Sequence, residues 1–335
     1  MKSRILVLNA TCLDVVERYR DQIESRGVEL VAEQRFRSIS IEQTAALVRE
    51  ADAVVLPAAA GRALPSAEQM EISPRLLCCA IAASGFDDFP VEAATRNGIV
   101  VTNAPVREGA EVVADMAFAL MLSVARQIPY HHNLLLRGDV TRGAGVSIFG
   151  KTLGIVGLGN IGRSVALRAR GFDMRVLATD PDPDRAFAAD HEIELVPQDE
   201  LLHQADFVTL HVRLNEQTRH MISRRELTLM KPTAHLINTA RRDLVDEEAL
   251  VEAIAQKRLA GAALDDPPGH AAKQLFDLPN VIFTPHLGNR SVEGMRAVFL
   301  SAIDSAIAVL GSERPRFVIN PAVYDIGVRK VPGRS

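Results

Sequence analysis

The chain has 335 residues, a formal net charge of -4, 47% hydrophobic residues and 24% charged residues. The length predicts about two domains of a globular protein, and the charge gives no reason to expect a nucleic-acid partner. Three cysteines without a CxxC pattern indicate neither a zinc site nor a disulfide framework, and no apolar run is long enough for a membrane span. A reduced cytoplasmic protein without a metal or a membrane segment is therefore expected.

Short apolar runs alternate with helical patterns in the first hundred residues. Asp14–Arg26 predicts an amphipathic helix, and four apolar runs predict strands: Ile5–Leu8, Ala53–Leu56, Leu76–Ile81 and Ile99–Thr102. This βαβ alternation is typical of a parallel sheet.

A long apolar helix, about Ala110–Gln127, follows and predicts a buried connecting element before the glycine-rich stretch Arg137–Gly150. A second βαβ series then begins at Lys151. Its predicted strands are Thr152–Val156, Arg175–Thr179, Phe207–His211, His235–Asn238, Gly261–Leu264 and Val281–Phe283. The expected final elements are a helix over Val292–Leu310 and a disordered terminus over Val328–Ser335.

A glycine-rich turn lies between the predicted strand Thr152–Val156 and the helix predicted at Ile161–Arg170. It reads GLGNIG, with Gly157 suited to a tight turn, Gly159 to the approach of a pyrophosphate, and Gly162 to close packing of helix and strand. The N-terminus of the helix would offer free N–H groups to the phosphates. Asp180 follows the next strand, where a carboxylate accepts the ribose hydroxyls and repels a 2′-phosphate, so NAD is favoured over NADP.

Several longer stretches resemble the D-isomer-specific 2-hydroxyacid dehydrogenases, which include phosphoglycerate, glycerate and formate dehydrogenases. The resemblance extends from about Leu76 to Pro321 and is strongest between Lys151 and Gly288. The matching stretches are GKTLGIVGLGNIG, ADFVTLHV, MKPTAHLINTARRDLVDEEAL, AGAALD and LPNVIFTPHLG. The resemblance implies hydride transfer between NAD and a small anionic 2-oxo or 2-hydroxy acid, in a homodimer.

Two residues are the main catalytic candidates. Arg241 ends a predicted strand, and its guanidinium would suit bidentate capture of the substrate carboxylate. His286, in TPH, would exchange a proton with the reacting oxygen near neutral pH. Both match the family's substrate arginine and acid/base histidine.

Other roles follow from the resemblance alone. Asp265 would hold the nicotinamide carboxamide, and the backbone at Ser84 and Gly85 would receive the substrate carboxylate. The remaining cofactor-binding candidates are Asn160, Ile161, Pro181, His211, Val212, Arg213, Thr218, Thr239, Ala240 and Gly288.

The sequence departs from the family pattern after Asp265. The family carries a glutamate there that pairs with the histidine, whereas this chain reads LDDPPGH and leaves Pro267 or His270 at the expected position. Asp266 is the nearest carboxylate and is the candidate replacement.

Three additional arginines also depart from the pattern: Arg213, Arg242 and Arg290. Each is either a solvated surface residue or part of the substrate site, with Arg242 and Arg290 the candidates for binding. If two of them face the cleft, they would suit a doubly charged substrate.

The predicted fold is α/β, with two doubly wound parallel-sheet domains. A Rossmann NAD-binding domain, residues 104–290, is inserted in a flavodoxin-like substrate domain formed by residues 1–103 and 291–335. Two alternatives remain open, an NAD-binding regulatory protein with lost or reduced turnover and a dehydrogenase for formate or phosphite.

Overall fold

The computed structural model describes residues 2–8, 13–33, 39–56, 65–87 and 89–330. The chain forms two compact units, one of residues 1–109 with 292–335 and the other of residues 110–291. Each unit contains one sheet in which every strand pair is parallel. The predicted α/β class with two doubly wound sheets is confirmed.

The elements of the described residues follow in chain order. Residues 1–106 contain β1 (Ser3–Val7), α1 (Leu13–Glu24), β2 (Val28–Ala32), α2 (Ile41–Glu50), β3 (Ala53–Leu56), α3 (Ala67–Glu71), β4 (Cys78–Ile81), α4 (Val91–Arg96) and β5 (Val100–Thr102). Then come α5 (Arg107–Ala125), α6 (Ile128–Leu136), β6 (Thr152–Val156), α7 (Asn160–Ala169), β7 (Arg175–Thr179), α8 (Arg185–Asp190), β8 (Glu194–Leu195), α9 (Gln198–Gln204), β9 (Phe207–Leu210), α10 (Arg224–Leu229), β10 (His235–Asn238), α11 (Glu247–Ala255), β11 (Gly261–Leu264), β12 (Val281–Phe283), α12 (Val292–Leu310) and α13 (Val323–Ile326).

The first unit has the strand order β2-β1-β3-β4-β5, which is the flavodoxin-like order. Its strands are apolar on both faces, because alternate residues enter separate cores: Ile5 and Val7 pack in one cluster, Leu6 and Leu8 in the other. The C-terminal helix α12 belongs to this unit and packs on β3 and β4. Strand β2 was not predicted.

The second unit has the order β12-β11-β10-β9-β6-β7-β8. This is the Rossmann order with one additional strand, and the order reverses between β6 and β9. In such sheets, ligands bind outside the carboxyl ends of the strands at that reversal. The strands therefore place the β6–α7 turn and the end of β9 where a dinucleotide is expected.

The predicted connecting helix, Ala110–Gln127, corresponds to α5, and the helix α6 that follows it was not predicted. α5 ends at Ala125, Gln127 adopts a left-handed backbone with φ of 51°, and α6 begins with Pro129 in its first turn. Proline is favoured in that position because its missing N–H has no helical partner there. No single described helix is long and apolar enough to cross a bilayer, although α5 and α6 together meet that limit across a 59° bend.

The predicted disorder of the terminus is wrong for Arg329. Its guanidinium donates to the backbone oxygens of Ser73 and Asn97, at 2.5 and 2.9 Å, and its N–H donates to the Gly98 oxygen at 2.8 Å. These acceptors hold the segment against the first unit. Residues 331–335 lie outside the described residues.

Candidate active site

The predicted residues of the second unit gather at one edge of its sheet. Parallel strands end at the same edge, so the residues that follow each strand become neighbours. The candidates that directly follow these strand ends are Gly157 after β6, Asp180 after β7, His211 after β9, Thr239 after β10 and Asp265 after β11.

Two glycines of the β6–α7 turn are required by space. Gly157 has a left-handed φ of +94°, and a Cβ there would lie 2.7 Å from the backbone oxygen of His211. A Cβ on Gly162 would overlap the Gly157 carbonyl oxygen. The turn is therefore packed against the end of β9, and only glycine permits that packing.

The remaining features of the turn fit a dinucleotide. A Cβ on Gly159 would meet nothing within 4 Å, and no side chain caps the N-terminus of α7 at Asn160 and Ile161. This end of the helix leaves backbone N–H groups and a partial positive charge for phosphates. The Asp180 carboxylate stands beside the turn, accepting hydrogen bonds from the N–H groups of Leu158 at 2.7 Å and Asp182 at 2.9 Å. Pro181 lies between Asp180 and Asp182 in the sequence.

The segment after β9 forms the other side of the strand reversal. The His211 ring contacts the Thr209 hydroxyl at 2.9 Å, and burial lowers the pKa of His211 to about 3, so the ring is neutral. Val212 approaches Gly157, and the Thr218 hydroxyl donates to the Arg213 carbonyl at 2.6 Å, which closes the loop. Arg213 is exposed.

Asn238, which the sequence analysis did not single out, shapes the loop that carries Arg241. Its amide donates to the Arg241 carbonyl at 2.7 Å, and its oxygen accepts from the Ala240 N–H at 3.0 Å. The Arg241 guanidinium donates to the Ala240 carbonyl at 2.8 Å. Among the described residues, no group forms a hydrogen bond with the adjacent buried Thr239 hydroxyl. The only signal for Asn238 was its place in the INTAR stretch.

Asp265 organises the backbone of the histidine loop. Its carboxylate is buried and accepts three hydrogen bonds, from the Thr284 hydroxyl at 2.5 Å, the Leu287 N–H at 2.7 Å and the Gly288 N–H at 2.6 Å. A Cβ on Gly288 would lie 3.0 Å from this carboxylate. Asp265 therefore holds the loop on both sides of His286, a contact that the sequence analysis did not predict.

Asp266 lies against the catalytic candidate His286. The Asp266 Oδ1 is 2.8 Å from the His286 Nδ1, and the imidazole side chain is 43% exposed. An ionised carboxylate only accepts hydrogen bonds, so in this pair Nδ1 donates and Nε2 is the ring nitrogen that Asp266 does not contact. The second oxygen of Asp266 accepts the Arg242 N–H at 3.1 Å, so one carboxylate contacts both the arginine and the histidine loops.

The additional arginines occupy different surroundings. The Arg242 guanidinium donates to Asp243 at 3.2 Å, so it already has a carboxylate partner. The side chain of Arg290 is exposed, and among the described residues no carboxylate pairs with it. In the first unit, Ser84 and Gly85 follow β4, where the Ser84 carbonyl accepts the Asn103 amide at 2.7 Å.

Comparison with known proteins identifies relatives of this chain. Residues 118–288 match the family described as D-isomer specific 2-hydroxyacid dehydrogenase, NAD binding domain. A glyoxylate reductase of Thermococcus gammatolerans is 35% identical over 99% of both chains. A D-3-phosphoglycerate dehydrogenase of Methanocaldococcus jannaschii is 40% identical over 75% of this chain, although the match spans only 49% of that longer protein.

A solved structure shows the same likeness. The D-lactate dehydrogenase of Lactobacillus jensenii with NAD⁺ superimposes with a TM-score of 0.76 at 26% identity, over 94% of this chain and 99% of that chain. The family match, the full-length relative and the dinucleotide-binding geometry agree, and NAD is the cofactor. The chain belongs to the D-isomer specific 2-hydroxyacid dehydrogenase family and is an NAD-dependent oxidoreductase of 2-hydroxy acids.

Proposed function

We propose that the protein reduces a small anionic 2-oxo acid with NADH, with His286 as the acid and Arg241 as the carboxylate anchor. The observation that carries this proposal is the contact between Asp266 and His286. Bound NADH supplies the hydride for the substrate C2, and His286 Nε2 supplies the proton for the oxygen that becomes the hydroxyl. Asp266 keeps the other nitrogen protonated and stabilises the charged ring that must be present before the transfer.

Arg241 is the first test. Replacement by alanine removes the guanidinium that serves the carboxylate, and loss of such a buried charged contact costs about 2–5 kcal/mol of transition-state stabilisation. We expect Arg241→Ala to lose most of kcat/KM while NADH binding, followed by its fluorescence, stays near that of the wild type. Arg224→Ala is the charge-matched control, because Arg224 is exposed and pairs with Glu252. Wild-type kcat/KM in Arg241→Ala would show that another residue anchors the substrate.

The substrate class is a finer part of the proposal. The relatives named glyoxylate reductases support a small 2-oxo acid. Arg290 has no described carboxylate partner, whereas Arg242 is engaged by Asp243, so Arg290 is the better candidate to meet a second negative charge. We expect a dianionic 2-oxo acid to outperform pyruvate, and Arg290→Ser to reduce that advantage more than Arg242→Gly does.

One screen separates this function from its alternatives. NADH oxidation is followed with glyoxylate, pyruvate and dianionic 2-oxo acids, and NAD⁺ reduction is followed with formate and phosphite. Preference for monoanions by a wide margin would end the dianion proposal. NADH binding without turnover of any compound would indicate a regulatory protein, but the retained His286 and Arg241, together with the contact between Asp266 and His286, support catalysis.

The helix α6 supports a homodimer. None of its residues is buried, although it carries the exposed apolar side chains of Ile128, Leu135 and Leu136, and the following segment exposes Val140 and Phe149. Exposed apolar groups of this kind mark interaction surfaces. We propose that a second copy of the chain covers them, as the family resemblance implies. Light scattering should report a dimer, and Leu135→Glu with Leu136→Glu should yield monomers; an unchanged mass would place the interface elsewhere.

The compartment is also a proposal. Cys78 and Cys79 are free buried thiols at adjacent positions of β4, and unpaired thiols are typical of a reducing compartment. Burial raises the pKa of Cys78 to about 12, so the thiol stays protonated and inert. We therefore place the enzyme in the cytoplasm, and fractionation of cells that express it would test this.

A further inference from the structure

The segment that carries Asp266 is unusual in its backbone. Asp266 is followed by Pro267 and Pro268, which fix their own backbone angles and have no N–H groups, and each restricts the residue before it to an extended conformation. The first N–H after Asp266 is therefore that of Gly269. The group that accepts a hydrogen bond from this N–H therefore fixes the C-terminal end of the turn Asp266–Gly269.

Glu247 binds it with both carboxylate oxygens. The distances from the Gly269 nitrogen to Oε1 and Oε2 of Glu247 are 3.1 and 3.0 Å. Gly269 has an ordinary φ of -65°, so its backbone would accept any residue, but a Cβ there would lie 2.7 Å from the Glu247 Oε2. Glycine is needed at this position to let the carboxylate approach.

Polar contacts hold both ends of this turn. A small cavity lies beside the turn, and its lining includes Asp266, Glu247, Val245, Leu250 and Leu264. Two polar contacts hold the turn beside this cavity: Glu247 with the Gly269 N–H at one end, and Asp266 with the Arg242 N–H at the other.

We infer that Glu247 is a positioning residue for the His286–Asp266 pair, acting through the turn Asp266–Gly269 without touching the reacting atoms. The inference rests on the proposed function for the role of His286. A carboxylate in the first turn of α11 also favours the helix N-terminus, which is a purely structural role. Glu248 shares that turn and is exposed, so it separates the two roles.

Four charged residues contact the histidine, its loop or the turn that carries Asp266. Asp266 contacts Nδ1, and Asp265 accepts the backbone N–H of Leu287 in the histidine loop. Arg242 shares Asp266 through its N–H, and Glu247 acts at the far end of the turn. A change at Glu247 is thus expected to reach His286 only through Asp266.

The test uses the full chain with two readouts. The first is the NMR signal of the hydrogen-bonded Nδ1 proton of His286 without substrate or cofactor, and the second is kcat against pH, with KM, for reduction of glyoxylate. We expect Glu247→Ala to broaden or abolish the proton signal and to lower kcat about tenfold, within the ~100-fold range that misplacement of a catalytic group can cost. KM should change less than about twofold, because the carboxylate anchor is untouched. Glu247→Gln, which keeps an acceptor, should recover most of kcat, and Glu248→Ala should match the wild type.

A double variant tests whether Glu247 acts on His286 through Asp266. In the Asp266→Asn background, Glu247→Ala should cause no further loss, whereas an equal further loss would overturn the inference. Gly269→Ala displaces the same carboxylate from the other side and serves if Glu247→Ala does not fold. If the wild type reduces no 2-oxo acid, the proposed function fails, but the proton signal still decides: its loss in Glu247→Ala alone supports the positioning role, and its persistence refutes it.

Discussion

Asp265→Asn should destabilise the histidine loop by an amount that the contacts allow us to estimate. The buried carboxylate accepts three hydrogen bonds, from Thr284, Leu287 and Gly288. An asparagine amide offers one oxygen and one NH₂ group, so at least one buried N–H then faces a donor. A hydrogen bond to a charged group contributes about 1.5–3 kcal/mol, and a buried donor left unsatisfied costs about 1–3 kcal/mol. We expect a loss of about 2–4 kcal/mol in the free energy of opening this loop.

Amide hydrogen exchange of the protein without cofactor measures that energy at the contact itself. The Leu287 and Gly288 amides should exchange at least about thirtyfold faster in Asp265→Asn, since 1.4 kcal/mol corresponds to tenfold. Thr284→Val removes one donor and should have a smaller effect. Glu248→Gln, which changes an exposed carboxylate, should have none. Unchanged exchange at both amides would show that the loop holds its shape without Asp265, and the reasoning would fail.

Three further perturbations follow from the same geometry. Asp180→Ser should narrow the preference for NADH over NADPH, and equal wild-type affinity for both cofactors in fluorescence titrations would contradict the role given to Asp180. Gly162→Ala should abolish NADH binding and destabilise the fold, because the new Cβ would overlap the Gly157 oxygen. Gly159→Ala should fold normally and weaken only NADH binding. Equal urea midpoints for the two variants would contradict this expectation. Burial lowers the pKa of His235 to about 4, whereas the same side chain in the unfolded chain binds a proton below pH ~6.5. The free energy of unfolding should therefore be highest above that pH and fall as the pH decreases towards 4. Urea midpoints at several pH values should show a larger decrease in the wild type than in His235→Gln.

The sequence predicted the sheet architecture well because the strands carry local signals. Thr152–Val156, Arg175–Thr179 and Ala53–Leu56 are apolar runs bounded by turn residues, and their observed bounds equal the predicted ones. Strand β2 was missed because VELVA is short and places a charged residue between its apolar ones. Helix α6 begins after the predicted end of the connecting helix and was missed because a proline, two histidines and an asparagine interrupt the apolar pattern of IPYHHNLLL.

The partners within the site were harder to predict, because they depend on where loops meet. Nothing local to Asp266 specifies that its two oxygens reach His286 and the Arg242 N–H. The family pattern pointed to a later position in the loop, and only the three-dimensional course of Asp-Pro-Pro-Gly shows which carboxylate meets the ring. The positions of Asn238 and Glu247 depend in the same way on backbone groups that are distant in the sequence or carry no side-chain signal.

The adjacency of Asp265 and Asp266 has a consequence for how this enzyme can change. Asp265 binds the backbone of the histidine loop and Asp266 binds the ring. Both supports of the histidine therefore lie in one dipeptide at the end of β11. The segment beyond the turn, residues 271–280, then does not have to supply the histidine's partner, and its buried Leu275 packs in the core of the second unit. One residue added between Leu264 and Pro267 would disrupt both supports at once.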